Sequence, residues 1–290
     1  MTIDFKALGA LAASTGADQT KAVTGGGADF QPPQAGPGLA RFVGYIEVGK
    51  QKGTFQGKPT IKDKVVLIFE LVGKRHPPNE TKEGVKLPVL IQVEESYSLN
   101  EKANFFKLFQ RMNYKQDSVH MAQLLGSGYK VEVIHETWKD KTGKDRVSAT
   151  LKNAGAYTIT PPRKEDEDSE TGWVDVAVPA ALSEVRCFLW QHADLTQWSG
   201  LFIEGEYPER MDDKGVVTAP ARSKNAYQNK IKAAVNFQGS PIHTMLLANG
   251  QSIDLPEVGE EEGNDTPSVL PTSASAPAAS PSDDALGGIV

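Results

Sequence analysis

The chain changes its hydrophobic period part-way along, and that change limits the folds open to it. RFVGYIEV (41–48) alternates, with Phe42, Ile46 and Val48 on one side and Arg41, Val43, Tyr45 and Glu47 on the other. IKDKVVLIFELV (61–72) is β-branched and apolar, long enough for one strongly buried or curved strand. KLPVLIQVEESYSL (86–99) supplies a third, bent near Pro88, which cannot donate to a ladder. The period then becomes helical. Ser98 and Glu101 have the spacing of a capping box, and Phe105, Leu108, Phe109 and Met112 follow at i, i+3, i+4 and i+7. Phe106 lies off that stripe and is expected to pack against a neighbouring element. HMAQLLG (120–126) predicts a short second helical piece before GYKVEVIHETW (128–138) returns to strand chemistry. DKTGKD turns a hairpin on Gly143, and RVSATLKNAGAYTI (146–159) is the last strand of the set.

Three strands, a helix and a two-strand hairpin make the element order of the OB-fold, a five-stranded barrel that commonly binds oligonucleotides. The expected protein is mainly β with minor α. Its OB barrel covers 41–164, with a helix between strands three and four, and a small α+β appendage covers 165–250. Residues 14–40 are rich in Gly, Ala and Pro without periodicity, so 1–40 is predicted to be a flexible arm. Residues 251–290 are predicted to be a disordered acidic tail. Within the appendage, Trp190 and Trp198 sit in a run too apolar for a linker, and 224–237 has helical spacing at Tyr227, Ile231, Ala234 and Val235. Packing on the barrel and forming an interaction or dimerisation surface both stay open for it.

The net charge of −6, taken alone, argues against a nucleic-acid partner. Its distribution reverses that. Residues 41–164 hold 22 Lys and Arg against 13 Asp and Glu, whereas 165–250 hold 7 against 13 and 251–290 none against 8. A basic module followed by acidic segments points to a polyanion for the first part. KQKGTFQGKPTIKDK (50–64) sets Lys50, Lys52, Lys58, Lys62 and Lys64 around Phe55, where an OB barrel places a binding loop. Lysines there neutralise phosphates and an aromatic face stacks on a base. WKDKTGKDR (138–146) repeats the recipe with Trp138, Lys139, Lys141, Lys144 and Arg146, and in an OB barrel the two loops face each other across a groove. Arg41 and Tyr45, on one side of the first strand, complete the set.

Catalysis finds little support. His76, His120, His135, His192 and His243 show no HExxH or paired metal spacing, and neither GxxxxGK[ST] nor GxSxG occurs, so no metal, cofactor or enzymatic activity is expected. Glu136, Asp140 and Asp145 alternate with lysines as paired surface charge rather than as a nuclease cluster. Cys187, alone in VRCFLW, can form no internal disulfide and is expected to be a buried structural thiol. No run approaches the roughly 18 to 20 apolar residues of a membrane span, and the start lacks a basic flank, so an intracellular protein is expected.

GYIEVGKQKGTFQGKPTIKDKVVLIFEL, LPVLIQVEESYSLNEKANFFKLFQ and GYKVEVIHETWKDKTGKDRVSATLKN together resemble the replicative single-stranded-DNA-binding proteins of tailed bacteriophages. VRCFLWQHADLTQWSGLFIEGEY and SKNAYQNKIKAAVNFQGSPI are similar to the extension those proteins carry beyond the barrel. The resemblance implies coating of single-stranded DNA without strong sequence preference in the cytoplasm of an infected bacterium. It also implies recruitment of polymerase, helicase or nuclease through the acidic tail. Tails of this class often end in acids followed by an aromatic. Here Asp283 and Asp284 precede Leu286, Ile289 and Val290, which keeps the acid-then-apolar order without a ring and favours a phage-encoded partner. The competing expectations are a strand-annealing recombination mediator, which uses the same site, and a virion or adaptor protein whose basic barrel is a solvated scaffold.

Overall fold

In the computed structural model, residues 32–254 are described, apart from 82–83, 140–142, 144, 212–214 and 216. The longest strand, β1 (Gly36–Phe55), folds back antiparallel onto β2 (Lys58–Val72) through a two-residue turn. Gln56 and Gly57 both take positive φ there, 51° and 74°, the hairpin geometry that matches strand twist. The segment expected as a loop at 50–64 is therefore a continuous two-stranded ribbon. β3 (Val89–Ser96), starting just after Pro88, pairs with β2. Then follow α1 (Asn104–Met112), a single 3₁₀ turn (Met121–Leu124), β4 (Gly128–Lys139) and β5 (Asp145–Thr150). The sheet runs β3-β2-β1-β4-β5, so the fold is mainly β.

No closed barrel of backbone hydrogen bonds forms among the described residues, because β3 and β5 end the path unpaired with each other. Side chains join the two margins instead. Glu95 of β3 receives the Lys152 ammonium and the Tyr157 hydroxyl, the latter at 2.7 Å. The run 146–159 is not one strand. Ala154 and Gly155 take φ of 48° and 80° and turn it back, so that Lys152–Asn153 pairs with Ala156–Tyr157.

The alternation expected for 41–48 is broken by a bulge. Phe42 pairs with Phe69 and Gly44 with Ile68, leaving Val43 as an inserted residue. The phase flips at that point. Ala40, Phe42 and Tyr45 all enter one core, with Leu67, Phe69, Ile91, Tyr129, Val131 and the α1 stripe of Phe105, Leu108 and Met112. Val43, Ile46 and Val48 enter a second core on the other face of the sheet.

The chain after β5 covers that second face. A hairpin of β6 (Arg163–Glu165) and β7 (Trp173–Asp175) leads to β8 (Arg186–Phe188), which adds to β1 in parallel at Gly44, Tyr45 and Ile46. Three short helices follow: α2 (Leu195–Gly200), α3 (Ala226–Lys232) and α4 (Pro241–Ala248). Trp190 and Trp198, expected mainly in the core of the appendage, share one with Val66 and Ile68 of the sheet. The Trp190 ring packs against Gly49, whose φ of +72° and absent Cβ leave the room: a Cβ there would sit 2.2 Å from the ring. The spacing through Val235 fails because α3 stops at Lys232. Val235 is exposed, and Phe237 is buried in its place.

Two further expectations change. The arm does not extend to residue 40, since β1 starts at Gly36 and the chain ahead of it is pinned. His135 contacts the Pro33 carbonyl at 2.7 Å, His76 that of Gln34 at 2.8 Å, and Arg75 donates to that of Ala35 at 3.1 Å. Residues 1–31 and 255–290, which hold the rest of the arm and nearly all of the tail, lie outside the described residues. The Ser98 capping box does not form, because Ser98 and Asn100 accept backbone N–H groups of the turn ahead of α1, whose N-cap is Ala103.

Arg41 and Glu70 face each other in the β1–β2 ladder, yet each holds the chain that crosses over them. Arg41 donates to the carbonyls of Val178, Pro179 and Gly126 at 2.5 to 2.8 Å. Glu70, 2% exposed, accepts the N–H groups of Leu182 and Ser183 at 2.8 Å each. Glu70→Ala leaves two part-buried N–H groups without their acceptor. It should lower stability by about 2 to 4 kcal/mol, read as a shift in urea midpoint with an unchanged slope.

Candidate nucleic-acid interface

Beyond Gln51 the β1–β2 ribbon leaves the body, and every residue from 52 to 59 is exposed. Ladder partners share a face, so Gln51, Gly53 and Phe55 of β1 join Lys58, Thr60 and Lys62 of β2. The opposite face carries Lys50, Lys52, Thr54, Pro59, Ile61 and Asp63. Phe55 is 58% exposed, and the Lys62 ammonium sits 5.1 Å from its ring centroid. Gly53, between them on that face, has no side chain to block the lysine stem. Lys50 pairs with Asp63 at 2.8 Å across the ladder, both side chains about half exposed.

Lys64 differs from the other four. It is half-buried beside Glu94 at 3.4 Å, and Glu94 also receives Lys230 from α3. Lys230 thereby ties α3 to the sheet, and Lys64 shares the carboxylate that holds it.

The β4–β5 hairpin is the second exposed ribbon. Trp138 pairs with Arg146 and Lys139 with Asp145, so the indole and the guanidinium stand on one face. Trp138 is 39% exposed, and the Lys139–Asp145 ion pair spans 2.7 Å in the open. Lys141 and Lys144 lie outside the described residues.

The ladders send the two ribbons off opposite ends of β1. Gly36 pairs with Val133 and Arg41 with Gly128, so β4 continues towards Lys139 past the start of β1, whereas the first ribbon continues past its end. The expected groove between facing loops is not formed by strand pairing.

Two expected contacts are corrected by burial. Tyr45 is fully buried, because the Val43 bulge turns it onto the Phe42 side. Its hydroxyl donates to Glu47 at 3.1 Å, and burial first, then the Glu47 carboxylate, push its pKa above the usual phenol range. It offers no face to a base. Arg41 spends its guanidinium on carbonyls, at the wall of a cleft of about 770 Å³ beside residues 113–118. Cys187 is half-buried on β8, its thiol raised by burial and by Glu47.

The face of β2 and β3 opposite the α1-capped core is occupied. Tyr227 donates to Gln92 at 2.7 Å, Lys230 meets Glu94, and Val66 and Ile68 sit in the second core. Sequence spacing could not reveal this, because buried outward positions on a strand look the same whichever element covers them. The tail residues Asp283, Asp284, Leu286, Ile289 and Val290 lie outside the described residues. No group of three or more potential metal ligands, and no helix long and apolar enough to cross a membrane, occurs among the described residues.

Compared with protein-family models, curated proteins and solved structures, the chain has no match. Its chemistry is argued from its own residues.

The four tryptophans offer a direct check on the local charge. Trp190 and Trp198 are buried, Trp138 stands among Lys139 and Arg146, and Trp173, 47% exposed, pairs with Glu165 at the root of an acidic turn. Iodide should quench Trp138 and caesium Trp173. Trp138→Phe should remove most iodide quenching, and Trp173→Phe most caesium quenching.

Proposed function

We propose that this protein binds single-stranded DNA without strong sequence preference, holding it on its two basic, aromatic-bearing ribbons. The observation that carries the reading is the first ribbon, where Phe55, Lys58 and Lys62 stand exposed on one face, with no covering element among the described residues. A base stacked on such a ring gains about 1–3 kcal/mol, and each neutralised phosphate releases a counterion. The β3-β2-β1-β4-β5 order supports an OB-type barrel whose margins are joined by Glu95, Lys152 and Tyr157. In this proposal Trp138 and Arg146 take a second stretch of the strand. The wider role follows the resemblance noted from the sequence: coating of exposed DNA during phage replication in the bacterial cytoplasm, with partners recruited through the acidic tail.

Binding isotherms for a single strand and a blunt duplex of equal length, at several salt concentrations, test the reading. The single strand should bind more tightly, and its affinity should fall steeply with salt. Equal affinities, or a flat salt dependence, would remove it. Lys58→Ala and Lys62→Ala combined should reduce the slope of log K against log[salt] by about 1.4, at ~0.7 per lost phosphate contact.

A further inference from the structure

The ribbon carries more than a single strand requires. A strand lying along it would use one face, but cations stand on both: Lys58 and Lys62 beside Phe55, Lys50 and Lys52 behind it. Two phosphate walls, one on each side, are what a duplex groove presents. The major groove is about 12 Å wide and 8.5 Å deep and admits a two-stranded β-ribbon. Four residues on each strand, 52–55 and 58–61, all exposed except the half-buried Thr60, reach about 13 Å at ~3.3 Å per residue, enough to touch its floor. Both strands are in register to the turn, so the ribbon arrives preformed.

Phe55 immediately precedes the turn, with its ring steadied by Lys62. Apolar side chains act as wedges against base steps, and inside a duplex the step must first be unstacked. The last pair before single-stranded DNA has an open face already, so the ring can cover it without that cost.

We infer that the β1–β2 ribbon recognises the junction between single- and double-stranded DNA, with its lysines along both walls of the groove and Phe55 on the terminal base pair. The inference rests on the single-strand reading above and adds a preferred substrate to it. The Trp138–Arg146 ribbon, leaving the other end of β1, then takes the single-stranded arm.

Three probes of common sequence test it with the full chain: a single strand, a blunt duplex, and a duplex with a single-stranded overhang. The overhang probe should bind about tenfold more tightly than the single strand. Phe55→Ala should remove that advantage, weakening the single strand by the stacking of one base and the overhang probe about tenfold more, since a terminal base pair presents the larger stacking face. Lys52→Glu, on the face away from Phe55 and exposed, should also weaken junction binding about tenfold while barely changing the single strand. Unchanged urea midpoints would show that both variants fold. Equal binding of junction and single strand, equal loss on both probes in the variants, or a blunt duplex bound as tightly as the junction would overturn the inference while single-strand binding stands or falls by its own isotherm. Failure to bind any probe would overturn both readings.

Discussion

The bulge at Val43 places one extra residue opposite Ile68, and that insertion lets a single strand serve two cores. Before it, Ala40 and Phe42 point into the α1-capped core; after it, Tyr45 keeps pointing there while Val43, Ile46 and Val48 feed the other side. A strict alternation would instead put Tyr45 on the Val43 side, away from the α1-capped core, and Ile46 and Val48 on the Phe42 side. The backbone of β1 is accounted for along both edges as well. β2 takes one for the full length, while the other passes from β4 at 36–41 to Ser127 and Gly126, which exchange hydrogen bonds with Phe42, and then to β8 at 44–46. Val235 and Asn236 finish it by bonding Lys50. Only beyond that point are residues free to leave the body.

That accounting explains where a ligand can act. The appendage occupies the outer face of strands two and three with Trp190, Trp198, Tyr227 and Ile231, and it is tied down by charges whose partners are backbone groups or desolvated carboxylates. Removing it would expose a whole apolar core at roughly 25 cal/mol per Å², far more than a nucleotide contact could offset. The exposed chemistry is therefore displaced from the sheet surface to its two hairpin extensions.

Strands, the α1 stripe and the basic character of 41–164 were legible because each rests on local period or local charge. Phe105, Leu108 and Met112 are buried as their spacing requires. The bulge was not legible, because RFVGYIEV satisfies period two equally well with or without an inserted residue. Gln56-Gly57 is a two-residue turn capable of positive φ, but the lysines and glycines around it read as loop, so the ribbon was missed. Trp190 reads as apolar and its burial follows. That it rests on Gly49, about 140 residues earlier, depends on tertiary geometry no window contains. Arg41 and Lys64 show the same limit for charge, since a cation placed among cations looks like a phosphate ligand until its carbonyls or carboxylate come into view.

Which lysines are available then follows from the partners they already have. The Lys50–Asp63 and Lys139–Asp145 pairs are solvent-exposed, and such pairs are worth about 0–1 kcal/mol, so a phosphate can draw the lysine away at little cost. Lys64 and Lys230 share Glu94 in a half-buried setting, where taking away one partner leaves the others poorly solvated. The two groups separate along the ribbon. Near the body, charge fixes the appendage to the sheet, and towards the tip Lys52, Lys58 and Lys62 meet no carboxylate among the described residues. The gradient runs outward to Phe55, so a polyanion drawn in by the lysines meets the one exposed ring of the ribbon at its end.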